Sequence, residues 1–213
     1  MAEERAIYAS APARTLVLAS GNPGKLRELR TLLLPLGWKV RSQGEWDFQA
    51  AAEDGLTFVE NALIKARHAA AHTGLPALGD DSGLVVDALH GAPGIHSARY
   101  AGAGADDTAN NRKLLAELVG VPRTQRAAHF YCAMVFLRDR QDPAPLVATG
   151  VWHGHILDAP VGDGGFGYDP LFWVESQQCT SAELAAEVKN RLSHRGQAMT
   201  SLLQQLRKVQ LAD

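Results

Sequence analysis

Two long runs of apolar, aromatic and β-branched residues most constrain the fold of this 213-residue chain. The runs extend from Ala127 to Leu137 and from Pro145 to Ile156, and the charged loop from Arg138 to Pro143 separates them. Two such runs joined by a short polar loop predict an antiparallel pair of strands. Part of the sheet in this protein is therefore expected to be antiparallel.

The N-terminal part of the chain follows a different pattern. Thr15 to Ala19 is a short apolar run, and the glycine-containing segment Ser20 to Gly24 interrupts it. Leucines then recur at helical spacing between Lys25 and Leu34, which predicts a strand, a loop and a helix in that order. Because strands and helices are mixed along the chain, we expect an α/β fold.

Capping residues and helical spacing predict further helices. Thr57 and Glu60 form a capping-box pattern, and Gly74 and Pro76 end the apolar spacing that follows it. Ser193 is a candidate N-cap near the C-terminal end. The predicted helices run from about Thr57 to Thr73, from about Asp107 to Val119, and from Ser193 to about Val209. Thr180 and Glu183 form another capping-box pattern, which predicts a short helix there.

Composition excludes several classes of protein. With 21 basic and 23 acidic side chains, the chain lacks the positive bias that holds polymeric nucleic acid, and a small anionic ligand fits better. Cys132 and Cys179 are the two cysteines, which indicates neither a disulfide framework nor a zinc site and favours a reducing cytoplasm. No apolar run is long enough to span a membrane, so we expect no membrane association.

The domain organisation is predicted to be simple. Residues 1–13 are rich in small and charged residues, and we interpret them as a loosely ordered or disordered extension. Residues 14–213 contain no repeat, low-complexity tract or long linker, which predicts one folded domain.

The segment Gly79-Asp80-Asp81-Ser82-Gly83 carries the clearest chemical signal. Two adjacent carboxylates at a bend can hold a divalent cation and activate a water molecule, although the same residue types also form ordinary turns. Apolar runs from Ala77 to Gly79 and from Leu84 to Leu89 predict strands on both sides. The carboxylates are therefore expected at a strand end, where open α/β sheets commonly bind ligands.

Other polar residues leave two readings open. A helix begins near Lys25, and the N–H groups at a helix N-terminus can enclose phosphate. The segment is not a P-loop, because Leu26 stands where a P-loop requires a hydroxyl, and this disfavours a kinase-type site. Glu53 and Asp54 can favour the N-terminus of the next helix or reach a metal. Lys65 belongs either to a solvated helix face or to a cleft wall, and Arg99 either clamps phosphate or forms a surface ion pair.

Six ordered blocks lie between about Leu16 and Leu206: Ser20 to Lys25 with Glu28, Gly55 to Ala66, Asp80 to Gly83, Gly91 to Gly94 with Ser97 to Tyr100, Gly165 to Pro170, and Lys189-Asn190 with Ser193 to Arg195. Together these blocks resemble the inosine/xanthosine triphosphate pyrophosphatase family. The resemblance implies a long, mixed, twisted β-sheet with flanking helices, and two lobes around a central active-site cleft. It also implies a homodimer that cleaves ITP, dITP or XTP to the nucleoside monophosphate and pyrophosphate, and so cleanses the nucleotide pool.

The resemblance also implies roles for individual residues at the phosphate end. Glu53, Asp80 and Asp81 would bind Mg²⁺, with Mn²⁺ as an alternative, and Asp81 would be the general base. Ser82 would position the substrate, and Lys65 and Lys189 would add positive charge around the triphosphate. The phosphate loop would comprise Ser20, Gly21, Asn22, Pro23, Gly24 and Lys25.

Base recognition is assigned by the same resemblance to a turn and to a later helix. The residues concerned are Phe166, Gly167, Tyr168, Asp169, His194 and Arg195. An aromatic face can stack on a purine, whereas core packing is the alternative for Phe166 and Tyr168. Hydrogen-bond donors that face a 6-oxo group would reject the 6-amino group of ATP; rejection of GTP would depend on the pocket near the purine 2-position.

Departures from the family pattern are small. Residues 1–13 are unmatched, Gly79 stands where a small apolar residue is expected, and Asp54 beside Glu53 leaves the metal ligand open by one residue. Two other functions remain as alternatives: a non-catalytic purine nucleotide sensor, and a nucleotide hydrolase of different base preference or product.

Overall fold

A mixed β-sheet forms the centre of the molecule. The computed structural model describes residues 14–210, and the predicted extension of residues 1–13 lies outside them. Seven strands are found in the described part of the chain, in the order β2-β1-β3-β4-β5-β6-β7. They are β1 (Arg14–Leu18), β2 (Trp38–Ser42), β3 (Ala77–Val86), β4 (Ala127–Leu137), β5 (Leu146–Ile156), β6 (Phe172–Val174) and β7 (Cys179–Thr180).

Strand directions confirm the prediction of a mixed sheet. β1 runs parallel to both β2 and β3, whereas β3, β4, β5, β6 and β7 pair antiparallel in succession. The predicted hairpin of two long strands is β4 and β5, which are 11 residues each. The parallel part is built from the N-terminal strand–helix units, and the antiparallel part from the central hairpin.

Five α-helices accompany the sheet within residues 14–210: α1 (Pro23–Leu33), α2 (Phe58–Thr73), α3 (Asp107–Glu117), α4 (Ala186–Leu192) and α5 (His194–Gln210). Predicted caps are confirmed at Thr57, whose hydroxyl accepts the Glu60 N–H, and at Ser193, whose hydroxyl accepts the Gly196 N–H. The short turn after Thr180 is a 3₁₀ segment with a complete capping box. None of the described helices is long and apolar enough to cross a bilayer.

The helices cover the two faces of the sheet. Small residues of α2, including Ala62, Ala66 and Ala69, pack on Val17 and Val135. On the other face, leucines of α1 and α5 pack on β3 and β4 in a second buried cluster. A third cluster joins α3 to the far half of the sheet, and its largest members are Leu114, Phe130, Trp152, Tyr168 and Phe172. The central strands β3 and β4 are therefore buried from both sides.

The acidic pair lies in the middle of a strand, which corrects two predictions. β3 is one ten-residue strand, so the expected bend at Gly79–Gly83 and the expected strand end are both wrong. Asp80 and Asp81 pair with Met134 and Ala133 of β4 across the sheet. The second predicted strand ends at Val86, and a 3₁₀ turn follows over Asp87–Leu89. Residues typical of a turn are here kept extended by cross-strand pairing.

The two glycines of this segment have a packing role. A Cβ atom at Gly79 would lie 2.1 Å from the Ala62 carbonyl oxygen of α2, and one at Gly83 would lie 2.4 Å from the Gly94 carbonyl oxygen. Glycine therefore permits other backbone segments to approach β3 closely on that face. The same close approach brings the α2 side chains next to the acidic pair.

Candidate active site

A cavity of about 540 Å³ collects most of the predicted site residues. Its charged end is lined by Asn22, Lys25, Glu53, Lys65, Asp80 and Asp81. Its aromatic end is lined by Phe130, Phe166, Gly167, Tyr168, Asp169, Lys189, His194 and Arg195, and Ser82 also contributes to the lining. Ser20 and Gly21 line a neighbouring cavity of about 280 Å³ that shares Lys25, Glu53, Lys65 and Asp80. Pro23 and Gly24 line neither cavity and form the first turn of α1.

Each aspartate of the acidic pair has its own lysine partner. The Lys25 Nζ atom lies 2.5 Å from Asp80 Oδ2, and the Lys65 Nζ atom lies 2.9 Å from Asp81 Oδ1. Lys65 Nζ also lies 3.3 Å from Glu53 Oε1. Because successive residues of a strand point to opposite faces, Asp80 faces α1 and Asp81 faces α2. The reading of Lys65 as a solvated helix residue is therefore wrong, since it forms part of the cleft wall.

The two carboxyl groups differ in proton affinity. Burial raises the pKa of Asp81, and this effect outweighs the opposing attraction of Lys65. Burial also acts on Asp80, but there the charges of Lys25 and Arg195 prevail and hold its pKa below the ordinary value. Neighbouring groups whose environments separate their pKa values are suited to different tasks. Asp81 is the better proton acceptor of the two.

The carboxylates are ligands of the type that a hard cation prefers, but they are not arranged as a metal site in this structure. No group of three His, Cys, Asp or Glu residues within residues 14–210 is placed as a metal site, and lysine ammonium groups contact all three predicted ligands. Carboxylate oxygens are nevertheless the ligands that Mg²⁺ uses. Asp54 lines a separate cavity with Leu56 and Arg67, so Glu53 is the member of that pair that faces the site. The residues present fit a cation once the lysines turn to another anion.

The N-terminus of α1 is already capped. The Asn22 Oδ1 atom accepts hydrogen bonds from the N–H groups of Gly24 at 2.8 Å and Lys25 at 3.1 Å. The Ser20 hydroxyl accepts from the Asn22 N–H at 3.2 Å. The N–H groups expected to enclose phosphate therefore have a partner, and a phosphate group must replace Asn22 or bind beside it.

At the aromatic end, the structure separates the two aromatic residues of the Phe166–Asp169 turn. Phe166 is 61% exposed, and the charged groups of Lys189 and Arg195 lie 5.3 and 5.8 Å from its ring centroid. Core packing is therefore the wrong reading for Phe166. It is the correct reading for Tyr168, which is 4% exposed and donates its hydroxyl proton to the Ser97 carbonyl oxygen at 2.8 Å.

His194 is buried beneath this end of the cavity. Its ring stacks on Phe130 with centroids 4.9 Å apart and an angle of 13° between the planes. Burial, reinforced by the charges of Arg195 and Lys189, lowers the pKa of His194 to about 3, so the imidazole is neutral near pH 7. His194 Nδ1 and Arg195 Nε are buried and have no hydrogen-bond partner among the described residues. Both residues thus have polar atoms that a ligand could satisfy.

Asp169 holds this part of the site together. Its buried carboxylate accepts hydrogen bonds from the Phe166 N–H at 2.8 Å and from the Ser181 hydroxyl at 2.7 Å. It also forms an ion pair with Lys189. A Cβ atom at Gly165, which has a φ of +77°, would lie 2.2 Å from the Asp169 carboxylate. Only glycine fits at that position without displacement of the acid.

Comparisons with known proteins identify the family of this chain. A model of the Ham1 family matches residues 16–205. The chain belongs to the Ham1 family. It is 56% identical over 198 residues to a protein named dITP/XTP pyrophosphatase from Idiomarina loihiensis, a match that covers 91% of this chain and 98% of the relative. A protein of the same name from Yersinia pseudotuberculosis is 56% identical over 192 residues, which cover 90% of this chain and 98% of that one.

A solved Ham1 structure has the same fold. The HAM1 protein from Coxiella burnetii superimposes with a TM-score of 0.89 at 49% identity, over 92% of this chain and 99% of the other. The mixed sheet with flanking helices predicted for this chain is thus the fold of the Ham1 family.

One buried partner of the acidic pair in this Ham1 protein could not be identified from the motifs. Asn61 of α2 is fully buried, donates from Nδ2 to Asp81 Oδ2 at 3.3 Å, and accepts the Gly55 N–H at 2.9 Å. An asparagine on the helix face that also carries Ala62 and Ala66 is a signal that could have been used, because buried polar side chains require partners. Arg99 is exposed and does not line the cavity, which leaves its role open.

Proposed function

We propose that this Ham1 protein hydrolyses the non-standard purine nucleoside triphosphates ITP, dITP and XTP to nucleoside monophosphates and pyrophosphate, which cleanses the nucleotide pool. The observation that carries the proposal is one cavity with two ends, where paired carboxylates and lysines meet an exposed aromatic ring and unsatisfied polar atoms. The names of the relatives support the same activity.

The triphosphate would bind at the charged end. Lys25 and Lys65 form ion pairs with Asp80 and Asp81, and Lys189 with Asp169. Phosphate oxygens can accept these ammonium groups in place of the carboxylates. The freed carboxylates of Glu53, Asp80 and Asp81 would then hold Mg²⁺, or Mn²⁺ in its place. The cation, when bound, supplies polarisation of a water molecule and neutralises charge on the leaving pyrophosphate.

Asp81 would act as the general base. Its raised pKa and its place on the cavity wall suit a carboxylate that takes a proton from water as the oxygen attacks the α-phosphorus. The bond to the bridging oxygen breaks, and pyrophosphate leaves with the electron pair. Lys25 and Lys65 would stabilise the negative charge that develops on it. Asn61, through its bond to Asp81 Oδ2, would fix the orientation of the base.

The base would bind at the aromatic end. Phe166 offers an exposed face for stacking on the purine, and His194 and Arg195 contribute polar atoms that have no hydrogen-bond partner within residues 14–210. Donors aimed at a 6-oxo group would leave the 6-amino group of adenine facing another donor, which penalises ATP. Selection against GTP would depend on the shape of the pocket near the purine 2-position.

The cellular setting is part of the proposal. A net charge of −2 offers no electrostatic basis for binding polymeric nucleic acid, and two free cysteines suit a reducing compartment. We therefore expect a cytoplasmic enzyme whose partner is its small-molecule substrate. By resemblance to the pyrophosphatase family, we expect it to form a homodimer with two lobes in each subunit.

Phosphorus NMR tests the proposal. ITP, XTP, ATP and GTP are incubated separately with the purified protein and Mg²⁺, and the phosphorus products are identified. We expect rapid release of pyrophosphate from ITP and XTP and little from ATP or GTP. Orthophosphate as product would move the attack to a terminal phosphate and overturn the mechanism. Binding of ITP without turnover would instead favour a nucleotide sensor.

A further inference from the structure

We propose that Asp107 and Asn111 of α3 are positioning residues that hold the 165–168 loop, and with it Phe166, in the geometry that recognises the purine base. The inference deepens the proposed function and rests on it. Neither residue belongs to the six sequence blocks that resemble the pyrophosphatase family. The proposed function assigns no role to α3.

Both side chains hold the backbone of Gly167 from one side. The Gly167 N–H donates to Asp107 Oδ2 at 2.6 Å, and Asn111 Nδ2 donates to the Gly167 carbonyl oxygen at 2.9 Å. Asp107 and Asn111 are four residues apart and therefore share one face of α3. The backbone donor and the backbone acceptor of Gly167 are thus both fixed by a single helix.

The loop is fixed from its other side by Asp169. The Phe166 N–H donates to the Asp169 carboxylate at 2.8 Å, and Gly167 has a left-handed backbone with a φ of +62°. Phe166 is therefore an exposed ring on a short loop whose successive N–H groups are bound by two different carboxylates. Loss of either anchor would free the ring to leave the cavity wall.

The helix that supplies the anchor is itself immobilised. Leu114 is fully buried in the cluster that contains Tyr168 and Phe172. Asn110 donates to the Ala98 carbonyl oxygen at 3.3 Å and accepts the Ala101 N–H at 2.8 Å. α3, the 3₁₀ segment Gly94–Arg99 and the turn after Phe166 are thereby linked, since Tyr168 also donates to the Ser97 carbonyl oxygen.

Within the described part of the chain, the Asn111 amide combines one satisfied and one unsatisfied polar atom. Its Oδ1 atom is buried and has no hydrogen-bond partner among residues 14–210. An unsatisfied buried acceptor costs free energy, and a leucine of similar shape would avoid that cost. The amide does, however, supply the donor that the Gly167 carbonyl oxygen requires, which links the residue to loop geometry.

Calorimetric binding of two probes tests the inference. The α,β-imido analogue of ITP carries both a purine base and a triphosphate, whereas inorganic tripolyphosphate carries no base that could stack on Phe166. Both are titrated with Mg²⁺ present. We expect the Asp107→Ala/Asn111→Ala double variant to bind the analogue on the order of tenfold more weakly, with tripolyphosphate binding unchanged. Asn111→Leu provides the same test without an Asp107 change, in case the double variant fails to fold.

Two matched variants separate the hydrogen bonds from other effects. Asp107→Asn keeps an acceptor for the Gly167 N–H but removes a charge from the first turn of α3. We expect this variant to bind the analogue with the affinity of the wild-type protein. Thr108→Ala changes an exposed neighbour in the same turn and should leave both affinities unchanged.

Three outcomes would overturn the inference. Unchanged affinity of the double variant and Asn111→Leu for the analogue would show that the loop needs no support from α3. Equal weakening of both probes would show a general loss of structure. If the wild-type protein binds the analogue no better than tripolyphosphate, the aromatic end does not recognise a base and the proposed function fails as well. The first outcome leaves the proposed function standing, which distinguishes the two failures.

Discussion

Asp80 and Asp81 are adjacent in sequence but have opposite surroundings. Asp80 meets Lys25 on one face of the sheet, and Asp81 meets Lys65 and Asn61 on the other. Their pKa values consequently move in opposite directions. The sequence could predict that both residues belong to the site. The difference between their pKa values depends on which face of the sheet each residue occupies.

Asp81→Asn tests the assignment of the base. The amide cannot accept a proton at neutral pH, so we expect turnover of ITP to fall by about 10²- to 10⁴-fold. Nucleotide binding should persist, since the lysines and the aromatic end are unchanged. Steady-state kinetics and calorimetry measure the two effects, and Asp139→Asn on the exposed β4–β5 loop serves as control. Turnover close to that of the wild type would contradict the assignment.

Glu53→Gln tests the cation site. The neutral amide is a weaker ligand for Mg²⁺ than a carboxylate, so we expect the Mg²⁺ concentration for half-maximal activity to rise on the order of tenfold. A Mg²⁺ titration of activity measures the shift. Asp54→Asn, which changes a side chain of a separate cavity, is the comparison. If the Mg²⁺ concentration for half-maximal activity rises in Asp54→Asn and not in Glu53→Gln, then Asp54, and not Glu53, is the metal ligand.

At the scale of elements, the sequence predicted the N-terminal strand, loop and helix, the long hairpin and most helix caps, but not β2, β6, β7 or α4. It could not predict that β3 continues through Gly79–Gly83, because local composition favours a turn while the extended backbone depends on pairing with β4. The capping of α1 by Asn22 was also not predicted. The cap involves only neighbouring residues, but a glycine-containing loop before a helix also fits a phosphate-binding loop.

Gly79→Ala tests the close contact between α2 and β3. The new Cβ would lie 2.1 Å from the Ala62 carbonyl oxygen, and both segments are backbone and cannot rotate away. We expect the free energy of unfolding to fall by about 3 kcal/mol, measured by urea denaturation. In Gly44→Ala, the added Cβ meets only Ser42 Oγ at 3.6 Å, so this control should lose far less. Equal stability of Gly79→Ala and the wild type would contradict the contact.

Asp142 anchors the loop between β4 and β5. Its buried carboxylate accepts hydrogen bonds from the Arg138 side chain and from the N–H groups of Arg138 and Ala144. These bonds, with the Arg138 side chain first among them, hold the pKa of Asp142 well below its ordinary value. A lowered pKa in the folded state stabilises the protein above the unfolded pKa of about 3.9, and this stabilisation disappears as pH falls towards the folded value.

Asp142→Asn should therefore destabilise the protein in a pH-dependent way. We expect a loss of about 2 kcal/mol at pH 7, and a smaller difference from the wild type as the pH falls below about 4. Urea denaturation at pH 7 and pH 3 measures both values. Asp139→Asn, on the same loop and exposed, is the control. A difference that stays constant with pH would show that the ionised carboxylate is not responsible.

At the scale of the whole molecule, the cavity joins distant parts of the chain. Its charged end comes from α1, α2 and β3, while its aromatic end comes from the 165–168 loop, α4 and α5. The sequence could predict membership of this site through the resemblance. It could not predict which members have partners already, since Lys25, Lys65 and Lys189 are all paired with carboxylates.

We predict that the protein changes shape when it binds a nucleotide. A ligand that touches both ends offers partners to His194 and Arg195 and draws the lysines towards its phosphates, which favours closure of the cleft. We expect the α,β-imido analogue of ITP to lower the radius of gyration in small-angle X-ray scattering, and tripolyphosphate to lower it less. Identical scattering profiles for the free and bound protein would rule out a large closure.

The ion pairs of β3 have a consequence for synthesis of the chain. Arg195 donates a hydrogen bond to Ser82, which precedes it by 113 positions in sequence, so α5 leaves the ribosome long after β3. Lys25 and Lys65, in contrast, both precede the aspartates that they neutralise. A nascent chain that has just produced Asp80 and Asp81 already contains a countercharge for each of them, while the residues of the 165–168 loop, α4 and α5 that line the aromatic end are still to be translated.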